Sequence, residues 1–463
     1  MIKGKTRNGG QALVLFLGFA AAMVGMMLIA FNSGQVTNAK MRAMNAADAA
    51  AYSGAVWQAR TLNFQAYMNR AMIVNEVTIA QSVSLRSWVA YLDRMVTNIN
   101  TVAQFVPYLG QATRAIQRGL RSVDTAMQSA LPPMEMMLRS VNVAAHGAQV
   151  AIDLPAIAIA HELADKVATA NGANMSAGIA LGALNEAEWL ALTQTYSKGP
   201  GGNRDGRVRL RDVTLNSRDG FVEARDWDVG GPVVQNELRK QGGTNLIDYD
   251  TWKGLDSMEY RTIYIPSKGW KVRTPIGWGG AQAYPSRSLN RNHGRHGRVN
   301  EWNNADGRNA RNDANSSGQA KSVGAAFPGY RDISEKFTKV KNADLRVPFT
   351  VEVMIKAADI ASQMSVTGGA VALQDGTRLD HTPGYFGDKG VYAMSEACVT
   401  FERPLGAARN DGATEFPSLF NPYWRASLAT ESWKSRSAAD FAKGLPSLAA
   451  IFSGSGSCSN KNK

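Results

Sequence analysis

The 463-residue sequence contains only two cysteines, Cys398 and Cys458. That excludes a small-core scaffold stapled by disulfides. In an oxidising compartment one bridge between them is permitted, and two free thiols are equally compatible with the spacing. There are five histidines, all scattered, and no G-x-S-x-G. Neither a nucleophile elbow nor a marked Cys-His pair is present. The glycine-rich stretch Gly199–Gly206 is not followed by Lys-Ser/Thr, so it is no phosphate loop. The Asp-Gly pairs at Asp205, Asp219, Asp306 and Asp411 are turn dipeptides without the alternating acids of a calcium loop. Charged residues make up only 19% of the chain, against 44% hydrophobic, a balance that fits a folded protein. No catalytic, metal-ligating or cofactor-binding set emerges, and the expectation is a protein that is not an enzyme.

What the sequence does have is one long uncharged run. From Ala12 to Phe31 no residue carries a charge. A helix needs about twenty such residues to cross a hydrocarbon layer of about 30 Å. A secretory signal has a shorter apolar region and ends in a small-residue cleavage site, and a core helix of this uniform apolarity is uncommon. The run therefore reads as a retained single-pass anchor. Lys3, Lys5 and Arg7 precede it, while Lys40 and Arg42 lie beyond. The positive-inside rule places residues 1–10 in the cytoplasm and the bulk of the chain outside it.

Small residues mark the span and its exit. Gly18 and Ala22, or Ala21 and Gly25, are small-x-x-x-small pairs that let two helices approach closely in lipid. Asn45, Ala46, Ala47, Asp48, Ala49, Ala50, Ala51 and Gly54 continue a narrow face into water. Two readings stand side by side: a docking face for a partner helix, or simply the high helix propensity of alanine.

Gly10-Gln11-Ala12-Leu13-Val14, the apolar run, and the Asn45–Ala51 exit with Gly54 together resemble the N-terminal domain of Flp pilus-assembly TadG-like proteins. These belong to the tight-adherence (Tad) pilus machinery of bacteria. The resemblance covers residues 9–56. It implies a component of the bacterial inner membrane, of accessory or pseudopilin-like type, with other pilus-assembly subunits as partners. If Gly10 stood before a prepilin cleavage point, the fifth following position would be Leu15, where processed subunits carry Glu. The N-terminus is accordingly expected to be kept. The D-x-S-x-S metal motif of longer relatives is absent.

The fold class expected is α+β: the transmembrane helix, a long-helix bundle, then a C-terminal mixed region with short antiparallel strands. The divisions are a basic tail at 1–10, the span and Ala-rich exit at 11–56, a bundle or stalk at 57–197, a strand-containing region at 198–420, and a helix with a polar tail at 421–463. Within the bundle, Leu85, Trp88, Leu92, Met95, Ile99, Val102 and Val106 repeat at 3-4 spacing, a narrow coiled-coil seam. An internal core stripe is the first reading of that seam and a partner helix the second. Pro107 and Pro132-Pro133 are expected to end helices, and Asp153 and Ser176 to cap new ones. A second apolar face comprises Ile116, Leu120, Val123, Met127 and Leu131. Past Gly199, Val208–Leu210, Thr262–Ile265 and Trp270–Thr274 read as short strands. Phe349, Val351, Val353 and Ile355 alternate with polar residues as a half-buried strand, and Ala397, Val399 and Phe401 do the same. From Asn421-Pro422 onward a turn and a helix are expected.

Weaker chemistry remains. His161-Glu162-Leu163-Ala164-Asp165 is one residue from the zinc motif H-E-x-x-H, but Asp is a poor second ligand and a solvated helix face is the better reading. The net charge is +13, most of it in residues 198–346. Residues 286–320 form an Arg/Asn/Gly/Ser-rich loop carrying Arg287, Arg291, Arg295 and Arg298, with His293 and His296 among them. Such a patch can hold a polyanion, although it lacks the aromatics of a specific nucleic-acid surface, and a merely solvated loop is the plainer reading. The ten tryptophans read as core or interface anchors rather than a glycan site. The function expected is a membrane-anchored, non-enzymatic pilus-assembly component. The alternatives are a membrane-anchored periplasmic enzyme acting on cell wall or glycans, betrayed by paired carboxylates in a cleft, and a polyanion-binding surface protein.

Overall fold

The computed structural model describes residues 9–105, 108–176, 178–196, 204–246, 252–283, 329–334, 337, 345–356, 359–360, 390–404 and 415–430. Two helices dominate. α1 (Gly9–Ala103) is one uninterrupted helix of 95 residues, and α2 (Leu109–Ala170) has 62. At 1.5 Å per residue α1 is about 140 Å long. Its sequence contains no proline and is rich in alanine, so nothing in it forces a break. α2 runs back antiparallel along α1, from Asn100 to the alanines at 39–51. The two are laced by polar pairs: Thr113 Oγ1 donates to Asn100 Oδ1 at 2.7 Å, Arg121 pairs with Asp93 at 3.3 Å, and Gln149 Nε2 donates to Asn69 Oδ1 at 2.7 Å.

The expected break at Pro132-Pro133 does not occur, and the one expected at Asp153 is a bend within a continuous helix. Pro132, Pro133 and Pro155 all lie within it, and Asp153, expected as a cap, is an interior residue. An interior proline removes one helical hydrogen bond and costs about 3 kcal/mol. Tertiary contacts on either side hold the helix through that loss. Arg139, just past Pro133, pairs with Glu135 at 2.9 Å and reaches Glu76 of α1 at 3.7 Å. Asp153 accepts from Gln65 of α1 at 2.9 Å and pairs with Arg331 at 2.6 Å. At Pro155 the consequence is visible: the helix bends by 45° there.

The remaining elements are β1 (Asn174–Ser176), α3 (Gly178–Leu192), β2 (Thr193–Tyr196), α4 (Arg204–Asn216), α5 (Gly220–Glu223), β3 (Trp227–Gly231), β4 (Asn236–Leu246), β5 (Trp252–Ile265), β6 (Gly269–Ala283), β7 (Tyr330–Ile333), β8 (Arg346–Lys356), β9 (Gly390–Phe401) and β10 (Trp424–Ala429). They make three antiparallel sheets, ordered β1-β8-β9-β10, β2-β7 and β3-β4-β5-β6. The α+β class holds. Ser176 lies in β1 rather than capping a helix, Val208–Leu210 is helical within α4, and the segment after Asn421 forms β10. β10 pairs along β9 from Trp424 opposite Phe401 to Ala429 opposite Glu396. β8 is buried on both faces instead of one: Glu352 accepts from Ser176 at 2.8 Å and Thr350 donates to Glu396 at 3.1 Å.

α1 is the common wall of these sheets. Its proximal part packs on β8, β9 and β10, its distal part on β4, β5 and β6. The largest core joins Ala39, Ala43, Ala46, Ala47, Ala50 and Ala51 of α1 with Ala160 and Ala164 of α2, Trp189 of α3, and Phe349, Val351, Val391 and Val399 of the sheet. β1 and β2 precede residue 198 yet pair with β8 and β7, so the helical and strand-rich parts share this core.

The approach of α1 to β8 is closest at Gly54, where a Cβ would overlap the ring of Phe349. Gly54→Ala should therefore lower the thermal unfolding midpoint, although alanine improves helix propensity by about 1 kcal/mol, because overpacking costs typically ~1–3 kcal/mol. Trimming the ring with Phe349→Leu in the same chain should give back part of the loss. A higher midpoint for Gly54→Ala alone would contradict this packing.

Candidate membrane anchor and docking surfaces

The span stands free of the body. Leu13, Val14, Leu15, Phe16, Leu17, Phe19, Met23, Val24, Met26 and Met27 are all exposed. α1 is long and apolar enough here to cross a bilayer, and none of its most apolar window is buried by the rest of the protein. The pairing residues Gly18, Ala21 and Ala22 are open, Gly25 nearly so, and a Cβ at Gly18 or Gly25 would meet nothing.

The alanine-rich exit is placed differently from the expectation of a partner-docking face. Ala46, Ala47, Ala50 and Ala51 are fully buried, and Gly54 lies under Phe349. Their small side chains serve close packing, but against this chain's own sheet and the end of α2. Asn45 is exposed and Asp48 half-buried at the edge of that contact. A docking face drawn through all of these residues is thus largely occupied from within.

Farther along, α1 meets β4–β6 through polar groups. Ser87 Oγ donates to Asp256 Oδ2 at 2.6 Å, Ser84 Oγ to Thr244 Oγ1 at 2.7 Å, and Asn98 to the Ile276 carbonyl at 2.8 Å. Asp256, fully buried, also accepts from Arg225 Nε at 2.8 Å and from Lys240 Nζ at 2.5 Å. Burial pulls the Lys240 ammonium down from its ordinary range, with Asp256 opposing. Burial, then the Asp256 charge, pushes the Tyr91 hydroxyl up to about 12. Gly279 of β6 makes room for the α1 backbone at Ala90 and Tyr91.

The coiled-coil seam is turned outward. Leu85 is 45% exposed, Trp88 37%, Ile99 42% and Val102 71%, while Leu92 and Met95 are half-buried. Val106 lies outside the described residues. The buried side of this stretch is instead Val83, Arg86, Ser87, Val89, Tyr91 and Val96. The core-stripe reading is therefore corrected: sheet and α2 already cover the opposite flanks, and the seam is left over. The α2 stripe behaves likewise, with Ile116 and Val123 exposed and Leu120, Met127 and Leu131 half-buried.

The span and the alanine-rich exit fall in a segment that resembles a known family. Residues 10–59 match the Tad family, Flp pilus-assembly TadE/G-like. The matched stretch holds the span, the exit and the Gly54 contact, and together with the apolar helix it supports a membrane-anchored protein related to Flp/Tad pilus assembly. No curated protein and no solved structure matches the chain.

Other candidate residues separate. His161 faces the sheet with its ring 5.0 Å from that of Phe349, whereas Glu162 and Asp165 are exposed and Glu162 pairs with Lys166 at 2.6 Å. His161 and Asp165 thus point to different surroundings and form no ligand pair. Arg287, Arg291, Arg295 and Arg298 lie outside the described residues. Cys398 is buried in β9 and is disulfide-bonded, while Cys458 lies outside the described residues. Trp189, Trp252 and Trp424 are core residues. A cavity of about 710 Å³ opens between α1, α4 and residues 416–421, with Ile73, Val77, Val213 and Phe420 as apolar walls and Arg70 and Arg209 at its polar side. Arg209 is held by Asp332 at 2.7 Å. No carboxylate, histidine or cysteine lines this cavity among the described residues. Sequence reasoning missed the cavity because its walls come from four distant segments, α1, α4, Phe337 and residues 416–421.

Two measurements follow from these placements. Burial lowers the His161 pKa below 6.5, so the folded chain binds that proton less readily than the unfolded one. Its contribution to stability is present above the unfolded value and fades as pH falls through it. Thermal unfolding at pH 7.5 and 5.5 should show a loss on acidification that is smaller in His161→Gln; an equal loss would remove His161 from the account. For the cysteines, the chain denatured without reductant should take up no thiol label and, after reduction, should be labelled at both. Labelling before reduction would rule out the bridge.

Proposed function

We propose that this protein is a non-enzymatic, membrane-anchored component of a Flp/Tad-type pilus-assembly apparatus, fixed in the inner membrane with its N-terminus cytoplasmic and its body outside. The observation that carries the reading is that one helix is at once the matched segment, the apolar span and the wall on which every sheet packs. A membrane anchor that continues without a joint into the body suits a fixed structural part. Lys3, Lys5 and Arg7 before the span favour this orientation. The open small-residue face at Gly18, Ala21, Ala22 and Gly25 is the surface on which another subunit's span packs within the lipid.

The test is a clean deletion, complemented with wild type or with Gly18→Leu plus Ala22→Leu. Loss of surface pili in the deletion, restored by wild type and not by the double variant although it accumulates in membranes, is the expected outcome. A reporter active only outside the cytoplasm, fused at Lys463, should give signal. Normal piliation in the deletion strain would end the proposal, as would release of the full-length chain from membranes by alkaline extraction.

A further inference from the structure

The seam of α1 does not stand alone. On α2, Ala112, Ile116, Gly119, Val123, Ala126, Ala130, Pro133, Met137, Val141 and Ala144 recur at 3-4 spacing, and all are exposed. No charged residue interrupts that stripe. At 3.6 residues per turn each seam lies about a quarter-turn from the line where α1 meets α2. Because the helices are antiparallel, the two offsets fall on the same side of the hairpin, beside the flank of α1 that packs on β6 at Met95. The result is a two-ridged apolar face, about 25 Å long between the heights of Leu85 and Val102 and two helices wide.

The ridges differ in size. α1 contributes Leu85, Trp88, Leu92 and Ile99, while α2 contributes mainly Ala, Gly and Val. The polar pairs between the helices fix the heights: Asn100 with Thr113, Thr97 with Gln117, Asp93 with Arg121. Leu85 accordingly stands level with Ala126–Ala130, Leu92 with Gly119–Val123 and Ile99 with Ala112–Ile116.

We infer that this face pairs with the same face of a second copy, about a two-fold axis parallel to α1. Two copies anchored in one membrane present identical heights. The two-fold then sets the large ridge of each α1 against the small ridge of the partner's α2, knobs into shallow holes, and closes a four-helix bundle. The absence of charge removes like-charge repulsion between identical surfaces. A face of this length and width buries roughly 500 Å² per copy, about 1,000 Å² in total and so at the small end of specific interfaces, and anchorage of both copies in one membrane raises their effective concentration. The pairing goes beyond the proposed pilus role and does not need it.

The experiment uses the full chain in its membrane. Two differently tagged copies are co-expressed, one with Leu85→Cys and the other with Ala126→Cys or Ala130→Cys, and mildly oxidised. An adduct carrying both tags is expected, and none when the second copy carries Thr125→Cys, which is exposed but lies more than a quarter-turn away around α2. In mild detergent the wild-type chain should have the mass of a dimer at micromolar concentration. Gly119→Glu with Ala126→Glu should be a monomer with an unchanged unfolding midpoint, since both sites are exposed. A wild-type monomer, a Thr125→Cys adduct as strong as the others, or crosslinking only to other proteins would overturn the inference.

Discussion

Everything in this fold depends on how closely the backbone of α1 can approach its neighbours. Alanine and glycine on the proximal half bring the helix axis down onto β8 and β9, so that the Phe349 ring fills the space a side chain at Gly54 would take. Packing at this distance multiplies weak dispersion contacts along the whole contact line. It also explains why the matched segment does not end at the bilayer. One half of that segment is apolar and open, and the other lies in a protein core.

The distal half of α1 reverses the usual relation between polarity and burial. Ser84, Ser87 and Arg86 are inside, and Leu85, Trp88 and Ile99 are outside. The inward polar groups are tolerated because their partners are already in place on the sheet and on α2: Thr244, Asp256 and Asp124. A buried carboxylate flanked by Arg225 and Lys240 fixes the register of helix against sheet, since a slip would leave charges without partners at a cost of about 3–5 kcal/mol. With the register fixed from within, the outward seam is free to serve another surface.

Much of the fold could be read in the sequence, and the limits have physical causes. The α+β class, the span, β8 and β9 were legible because alternation and long apolar runs are local signals. The seam's spacing was legible as well, but periodicity identifies a face and not what covers it. Pro132-Pro133 as a stop and Asp153 as a cap misled because such signals are local while the contacts that carry the helix on, to Glu76, Gln65 and Arg331, come from residues far away in the chain. β10 was missed for the same reason: Trp424–Ala429 is strand only because β9 offers an edge. The exit alanines were visible as a close-packing face, and only the tertiary structure could say that the partner is this chain itself.

A helix that passes from lipid to the far end of the body without a hinge behaves as a lever. From Phe31 to Ala103 it extends about 110 Å, and transmembrane helices tilt by about 20° on average, so a comparable swing at the bilayer sweeps the distal end through nearly 40 Å. A turn of the span about its own axis is delivered undiminished to the distal face. Motion in the membrane plane and geometry far from it are therefore one mechanical variable.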